Sequence, residues 1–377
     1  MYNEVYKIKD TVDIFISENE HDSTVTLNFH IMTTRDRIEI KTNKHVARFI
    51  ASFDGEKNLS EIVSEIGNLK SEDVIKLIEF LLNQHLIFNV AHPIHDDLRF
   101  SRQITFWDDF VLDRPGQETQ AILENKKIVL FGCGAVGAKI IDILARAGIN
   151  HITLIDYKIM SEASAVRHNY YSYKRVGEPK VDVLSDFLAR INKNIFIKKH
   201  FEKLMPDSDL SKLIPDDTDL IINTCDEPYI GHTSLKLGRY AQSKKIPLYV
   251  AGGFDAHLMS SGELINPPKT PCIDCAQNTF SRALKGWKPV YSMIENPHSF
   301  ASTPVNVENN NYISGGPGGL AIMSGFSASL CCMQLLHFLL DDSAFTYQNR
   351  RYEYLPNSGN MTQFELAKQD GCEICNG

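Results

Sequence analysis

The hydrophobic pattern of the first 95 residues changes period along the chain. Thr24 to His30 (TVTLNFH) alternates apolar and polar positions as a half-buried strand does, and Arg37 to Ile40 supplies a partner across the turn. The pattern then becomes helical. Asn58 or Ser60 can cap a short helix through SEIVSEI, and Ser71, followed by the acidic Glu72 and Asp73, can cap a second. On that second helix Val74, Leu77, Ile78 and Leu81 recur three and four residues apart, and LIFNV then reads as a closing strand. Two strands, helices and a final strand predict a winged-helix domain over residues 1–95.

His92 to Asp97 reads as a linker, and from Leu98 the pattern turns to α/β, predicting a second domain over 96–377. Lys127 to Phe131 (KIVLF) is a short apolar strand, Ala138 to Ala147 a helix, and His151 to Asp156 (HITLID) a second strand, which together make a βαβ unit. Leu220 to Thr224 and Pro247 to Ala251 add strands with helical patterns between. The expected fold is α/β: a Rossmann-like, mostly parallel sheet with helices on both faces. Leu320 to Leu340 is the most apolar stretch. Ser324, Gly325, Ser327, Ser329, Gln334 and His337 interrupt it, so a buried core helix is expected there rather than a membrane span. The loop from Ser281 to Gly319 is long and rich in Asn and Gly, a candidate substrate lid. Its His298 is either a base or simply a loop residue.

Composition narrows the partners. Of 377 residues, 43% are hydrophobic and 23% charged, the balance of an ordinary packed protein. A net charge of -8 argues against a general nucleic-acid binder. The N-terminus, MYNEVYKIKD, lacks a basic region followed by an apolar one, so a cytoplasmic protein with no membrane partner is expected. In a reducing compartment the eight cysteines, four of them in two CxxC pairs, favour metal over disulfides. Cys272, Cys275, Cys372 and Cys375 would build a closed, structural zinc site of four thiolates, with the C-terminal tail folded back onto its domain. A redox role for either pair is the alternative.

The sharpest chemical signal is Gly132-Cys133-Gly134-Ala135-Val136-Gly137. This GxGxxG follows a strand and opens a helix, the context in which backbone amides and a helix N-terminus hold a phosphate. Asp156, ending the next strand, is placed to accept hydrogen bonds from ribose hydroxyls. Gly132, Gly134, Gly137 and Asp156 therefore read as a nucleotide site, and on these alone a dehydrogenase would be the default.

The following segment, DYKIMSEASAVRHNYYSYKRVGEPKVD, resembles that of the ThiF/MoeB/HesA adenylyltransferases, the ubiquitin-activating-like family, in which an Asp is followed by an Asn, an Arg and VGxPK. The resemblance covers about 98–377. It implies ATP and Mg2+ as cofactors, Arg167 and Lys180 stabilising charge on the phosphates, and Asp226 of INTCDEP holding magnesium. Read alone, Asp226 could instead cap the next helix. LRFSRQ (98–103) resembles the family's RYSRQ, whose second arginine reaches into the partner subunit's ATP site. That implies a homodimer with Arg102 supplied in trans, although by itself Arg102 reads as a surface arginine. The paired CxxC also matches the family. Lys158 stands where the family commonly has a second aspartate, and Ser164 where it has a phosphate-contacting asparagine, so the arrangement of phosphates and metal departs from the family's. No remaining cysteine reads as an acceptor for a thioester.

GEKNLSEIVSEI and the helix ending FLLNQHLIFNV resemble the PqqD-like element that binds leader peptides of ribosomally made, modified peptides; a generic winged helix or dimerisation domain is the plainer reading. The combined layout is similar to that of the microcin C7 peptide adenylyltransferases and the pantocin A maturation enzymes. It implies ATP-dependent activation of a carboxylate in a ribosomal precursor peptide, with a lean to a glutamate side chain and pantocin-type cyclisation. Activation of a carrier-protein or peptide C-terminus, and a non-catalytic peptide-docking subunit, are the alternatives.

Overall fold

A computed structural model describes residues 2–18, 24–90, 98–111, 114–227, 230–251, 259–283, 319–340 and 349–376. The chain divides into two compact units, Met1–Gln120 and Ala121–Gly377. The expected linker at His92–Asp97 and residues 284–318 of the candidate lid, with His298, lie outside the described residues.

The first unit holds two three-stranded sheets. Strands β2 (Val12–Glu18), β3 (Thr24–Ile31) and β4 (Arg37–Asn43) form an antiparallel meander in which Leu27 stands opposite both Ile16 and Ile40. Strand alternation turns Val25, Leu27 and Phe29 inward. The second sheet places β1 (Val5–Ile8) between β5 (Asp54–Asn58) and β6 (Ile87–Asn89). Helix α1 (Lys44–Ala51) starts where β4 ends, capped by Asn43, whose side chain accepts the amides of His45 and Val46. Helix α2 (Leu59–Ile66) has Asn58 as its cap, in a reciprocal box with Glu61. Ser71 is the first residue of α3 (Ser71–Asn83) rather than its cap. Val74, Ile78 and Leu81 of α3 meet Leu27, Phe29, Phe49 and Leu59 in one core. Helices α4 (Ser101–Phe110) and α5 (Gly116–Glu124) follow, and the Lys9 ammonium donates to the Asp108 carbonyl of α4 at 2.6 Å.

The second unit is built on a six-stranded sheet. Its members are β7 (Lys127–Phe131), β8 (His151–Ile155), β9 (Phe196–His200), β10 (Leu220–Asn223), β11 (Leu248–Val250) and β13 (Glu263–Ile265), in the order β13-β11-β10-β7-β8-β9. All pairs are parallel except β11 with β13. Near-continuous apolar strands such as IVLF and LII are what a parallel sheet covered on both faces requires. Val129, Phe131, Ile221 and Val250 pack with α9 (Ile230–Lys244) and α10 (Ile273–Ala283). Helices α6 (Ala135–Arg146) and α7 (Lys180–Ile191) contact one another, and α11 (Ala321–Leu339) packs on α6. A four-residue helix, α8 (Leu210–Leu213), precedes β10.

Among the described residues α11 is the one helix long and apolar enough to cross a membrane by length and composition. Its Ser324, Ala328, Cys331, Cys332, Leu335 and Leu339 are buried against the rest of the unit. A small sheet of β12 (Met259–Ser260), β14 (Arg350–Leu355) and β15 (Asn360–Glu365) closes the unit, and α12 (Glu373–Asn376) ends it. Arg351 of β14, 1% exposed, donates to Glu263 of β13 at 2.7 Å and to Glu353 of its own strand at 2.8 Å.

Candidate active site

The chain runs β7 to β8 to β9 in one direction, then returns to place β10 against the opposite edge of β7. That reversal opens a crevice at the carboxyl ends of β7 and β10, the general ligand site of open parallel sheets. Gly132 leaves β7 there, and Thr224, Cys225 and Asp226 leave β10. The Thr224 hydroxyl donates toward the carbonyls of Gly132 (2.7 Å) and Phe131 (3.1 Å), fixing the two strand ends together.

The three glycines of the loop have different reasons to lack a side chain. Gly132 has φ +93°, a conformation costly for other residues, and a Cβ on it would meet the Thr224 hydroxyl at 2.6 Å. A Cβ on Gly137 would lie 2.1 Å from the Gly132 carbonyl. Gly134 faces open space and is the N-cap of α6. The empty volume lies where the amides at a helix N-terminus can approach an anion, so the loop fits a phosphate chain.

Asp156 is buried, and its carboxylate is fixed by two amides: Cys133 at 2.7 Å on one oxygen and Lys158 at 2.7 Å on the other. Each oxygen keeps a lone pair for a ribose hydroxyl. Lys180, buried at the first turn of α7, donates its amide to the Lys158 carbonyl at 2.9 Å. Burial lowers the Lys180 ammonium from the usual lysine range, with Asp156 and Asp226 near enough to oppose that. The preceding VGEP is paired to the chain after β8 through Met160, whose amide donates to Glu178 at 2.8 Å and whose carbonyl accepts Gly177 at 2.8 Å. The structure thus brings Gly132, Gly134, Gly137, Asp156, Lys180 and Asp226 to one crevice. Asp226 is exposed.

Arg167 is half-buried after a short helical turn, and its carbonyl accepts the Lys139 ammonium at 2.9 Å. Its guanidinium lies 3.7 Å from where a Cβ of Gly319, just before α11, would stand. Arg102 is exposed on α4 of the first unit. Ser164 is buried and engaged with Ser161 in a reciprocal cap of the turn 162–164.

Several groups escaped the sequence reading. His168 directs Nδ1 at the Ser164 carbonyl (3.1 Å), which can only accept, so the proton is on Nδ1. Its Nε2 is buried without a partner among the described residues. The Tyr170 hydroxyl donates to the Cys133 carbonyl from beneath the loop. Glu227, beside Asp226, accepts the Lys158 ammonium on one oxygen and the Tyr157 hydroxyl on the other. Adjacency to Asp226 was the available signal for Glu227. His168 and Tyr170 carried none, because both act through folding of an irregular segment.

The four paired cysteines meet as expected. Their Sγ atoms all lie within 4.8 Å of one another, with Cys272–Cys372 at 3.8 Å and Cys275–Cys375 at 3.6 Å. A tetrahedron of ~2.3 Å zinc–sulfur bonds has sulfur–sulfur edges of ~3.8 Å, whereas a disulfide needs ~2.05 Å. Two amides point at the sulfurs, Cys272 to Cys375 at 3.0 Å and Gln369 to Cys275 at 3.3 Å, as thiolate ligands require. Of the other cysteines, Cys133, Cys331 and Cys332 are buried. Burial pushes the Cys331 thiol up to about 12 and raises Cys133, Cys225 and Cys332 as well.

Comparison with known proteins agrees with this geometry. The ThiF family model matches residues 100–374. The molybdopterin-synthase adenylyltransferase of Escherichia coli is 30% identical over 189 residues, which are 48% of this chain and 69% of that protein. Among solved structures, E. coli MccB with ATP gives a TM-score of 0.71 at 18% identity, covering 99% of each chain. MccB, a microcin C7 biosynthetic enzyme, has also been solved with N-formylated MccA. PaaA gives a TM-score of 0.67 at 19% identity, covering 94% of this chain and 99% of that one.

Proposed function

Since the chain belongs to the ThiF family and is an adenylyltransferase-like enzyme, we propose that it uses ATP to activate a carboxylate of a ribosomally made precursor peptide as an acyl-adenylate. The observation that carries this reading is the convergence at the β7/β10 crevice of an amide-fixed Asp156, a glycine loop with open space at Gly134, and the buried ammonium of Lys180.

Asp156 accepts the ribose hydroxyls. The amides around Gly134 receive the phosphate chain, and Lys180 and Arg167 offset the charge that grows on it. Arg102 from a second copy adds a further positive charge in a homodimer. Asp226 would hold Mg2+, which supplies neutralisation of the leaving pyrophosphate when bound. A peptide carboxylate oxygen forms a bond to the α-phosphorus while the bond from that phosphorus to the bridging oxygen breaks, and pyrophosphate leaves with the electron pair. A nitrogen or carbon nucleophile of the same peptide then attacks the acyl carbon and releases AMP, with proximity contributing much of the rate. No cysteine is needed, in keeping with the buried thiols. Cys272, Cys275, Cys372 and Cys375 hold a structural zinc.

The first unit, read as a leader-recognition domain over residues 1–95 joined to an adenylation domain over 96–377, would bind the peptide by strand addition. Among the described residues its outer strands β2 and β4 each pair on one side only. A glutamate side chain, cyclised with loss of water and carbon dioxide as in pantocin-type maturation, is the substrate group this reading favours. The lean rests on the layout, a leader-recognition domain ahead of an adenylation domain, and on the divergent phosphate-site residues Lys158 and Ser164; activation of a carrier-protein or peptide C-terminus is the alternative.

The test mixes the protein with Mg2+, ATP and the short peptide encoded beside its gene, following nucleotides and peptide mass together. Peptide-dependent AMP and pyrophosphate with a peptide mass loss is the expected result. Peptide binding with ATP untouched would make the chain a docking protein instead.

A further inference from the structure

Lys158 sits between the two groups that the proposed function assigns to the nucleotide. Its amide holds Asp156 and its carbonyl holds the amide of Lys180, so its side chain departs from between the ribose and phosphate ends of the crevice. The ammonium pairs with Glu227, which follows Asp226 in the chain, and lies close enough to Asp226 and Asp156 to feel both charges. Glu227 is held in place by its second oxygen on the Tyr157 hydroxyl, and the Lys203 ammonium stands 5.0 Å from the Tyr157 ring centre.

Two features make this pair exchangeable. Its side chains are 40% and 44% exposed, so water competes for both partners and the bond is of the weak surface kind. A phosphate oxygen accepts the same charge-assisted hydrogen bond from an ammonium that a carboxylate does, and a triphosphate brings more negative charge and more acceptor oxygens to it.

Resting on that nucleotide reading, we propose that Lys158 is a further phosphate-binding residue and that Glu227 is its counter-ion only while no triphosphate is bound. On binding, the ammonium passes from Glu227 to a β- or γ-phosphate oxygen. The released Glu227 carboxylate then stands beside Asp226, facing the cation that accompanies the nucleotide. Lys158 thus adds a positive charge to the phosphate site, and Glu227 links its release to the divalent ion.

Calorimetric titration of the full chain with ATP and with AMP, each with and without Mg2+, tests this. Lys158→Ala is expected to weaken ATP binding about tenfold while leaving AMP within about twofold, with the difference shrinking as salt rises. Glu227→Gln, which frees the ammonium, is expected to bind Mg2+-free ATP more tightly than the wild type and to gain less from Mg2+. Lys158→Arg, keeping the charge, is expected to retain most of the ATP affinity, which separates the charge from any folding defect. Unchanged ATP affinity in Lys158→Ala, or equal losses for ATP and AMP, would overturn the assignment and leave the nucleotide site standing. A wild type that binds neither nucleotide would overturn both.

Discussion

One oxygen of the Asp156 carboxylate accepts the Cys133 amide at 2.7 Å, which ties the glycine loop after β7 to the chain leaving β8. The bond gives Asp156 a structural duty as well as a chemical one. Its other oxygen holds the Lys158 amide, so the carboxylate orients the loop on one side and the segment that carries Lys180 on the other.

Asp156→Asn should therefore weaken both fold and ligand binding. An amide side chain offers one acceptor where two amides need one each, and its NH2 would face a backbone donor. A loss of about 1–3 kcal/mol in stability is expected, read by denaturant unfolding. ATP affinity should fall more than tenfold, read by calorimetry. Wild-type stability in the variant would show that the two amides do not depend on the carboxylate.

Gly134→Ala and Gly137→Ala separate the two meanings of a glycine in this loop. Gly137→Ala forces a methyl to within 2.1 Å of the Gly132 carbonyl and should cost about 3 kcal/mol or more. Gly134→Ala meets nothing within 4 Å, so its melting temperature should stay near wild type while its methyl intrudes on the phosphate space and weakens ATP binding. Equal destabilisation by both would mean that Gly134, too, is a packing residue.

How far the sequence anticipated this site follows from how local each signal is. KIVLF, the GxGxxG and HITLID lie within about thirty residues and specify a βαβ unit by period alone, and the structure has that unit. Gly132 and Asp156 could be named for the same reason, since one follows a strand and the other ends one, whereas Lys180 and Asp226 were legible only through the resemblance of VGEPK and INTCDEP to the adenylyltransferase segments. The Lys158–Glu227 pair joins residues 69 apart in sequence, which no period links. In the first unit β5 (DGEKN) has no apolar residue, and β2 exposes the adjacent Phe15 and Ile16 at 59% and 56%. β5 lacks any apolar period and Phe15 breaks that of β2, so pairing with neighbours rather than local pattern makes them strands. Helix α6 starts at Ala135, three residues before the apolar period begins, because the glycine loop feeds directly into it.

The four-thiolate cluster predicts one zinc ion per chain, counted by native mass spectrometry. Because Cys372 and Cys375 hold the C-terminal tail to Cys272 and Cys275, a strong chelator should release the ion, lower the melting temperature and expose the tail to carboxypeptidase. Cys372→Ser should do the same without chelator. ATP binding should outlast the early loss of metal, since none of the four cysteines contributes to the β7/β10 crevice. Retained stability in a metal-free protein would remove the structural role.

His168 makes a prediction about pH whose sign can be worked out. Burial, and then the nearby Lys180 ammonium, push its imidazole down to about 4 from 6.5, with Arg167 and Lys139 acting in the same direction. Between those values the unfolded chain binds a proton that the folded chain refuses, so acid favours unfolding there. The contribution to stability is full above about pH 6.5 and is lost progressively as pH falls toward 4, by about 3 kcal/mol in all. Protonation would add a charge at Nε2, which is buried without a partner among the described residues, while Nδ1 keeps its bond to the Ser164 carbonyl. His168→Gln cannot titrate, so it should lose less stability than the wild type between pH 6.5 and 4.5. Chemical denaturation across that range, compared between the two proteins, measures the difference in slope. Parallel slopes would mean that the imidazole is reached by solvent and titrates near its ordinary value, and that the cations of the phosphate site do not act on it.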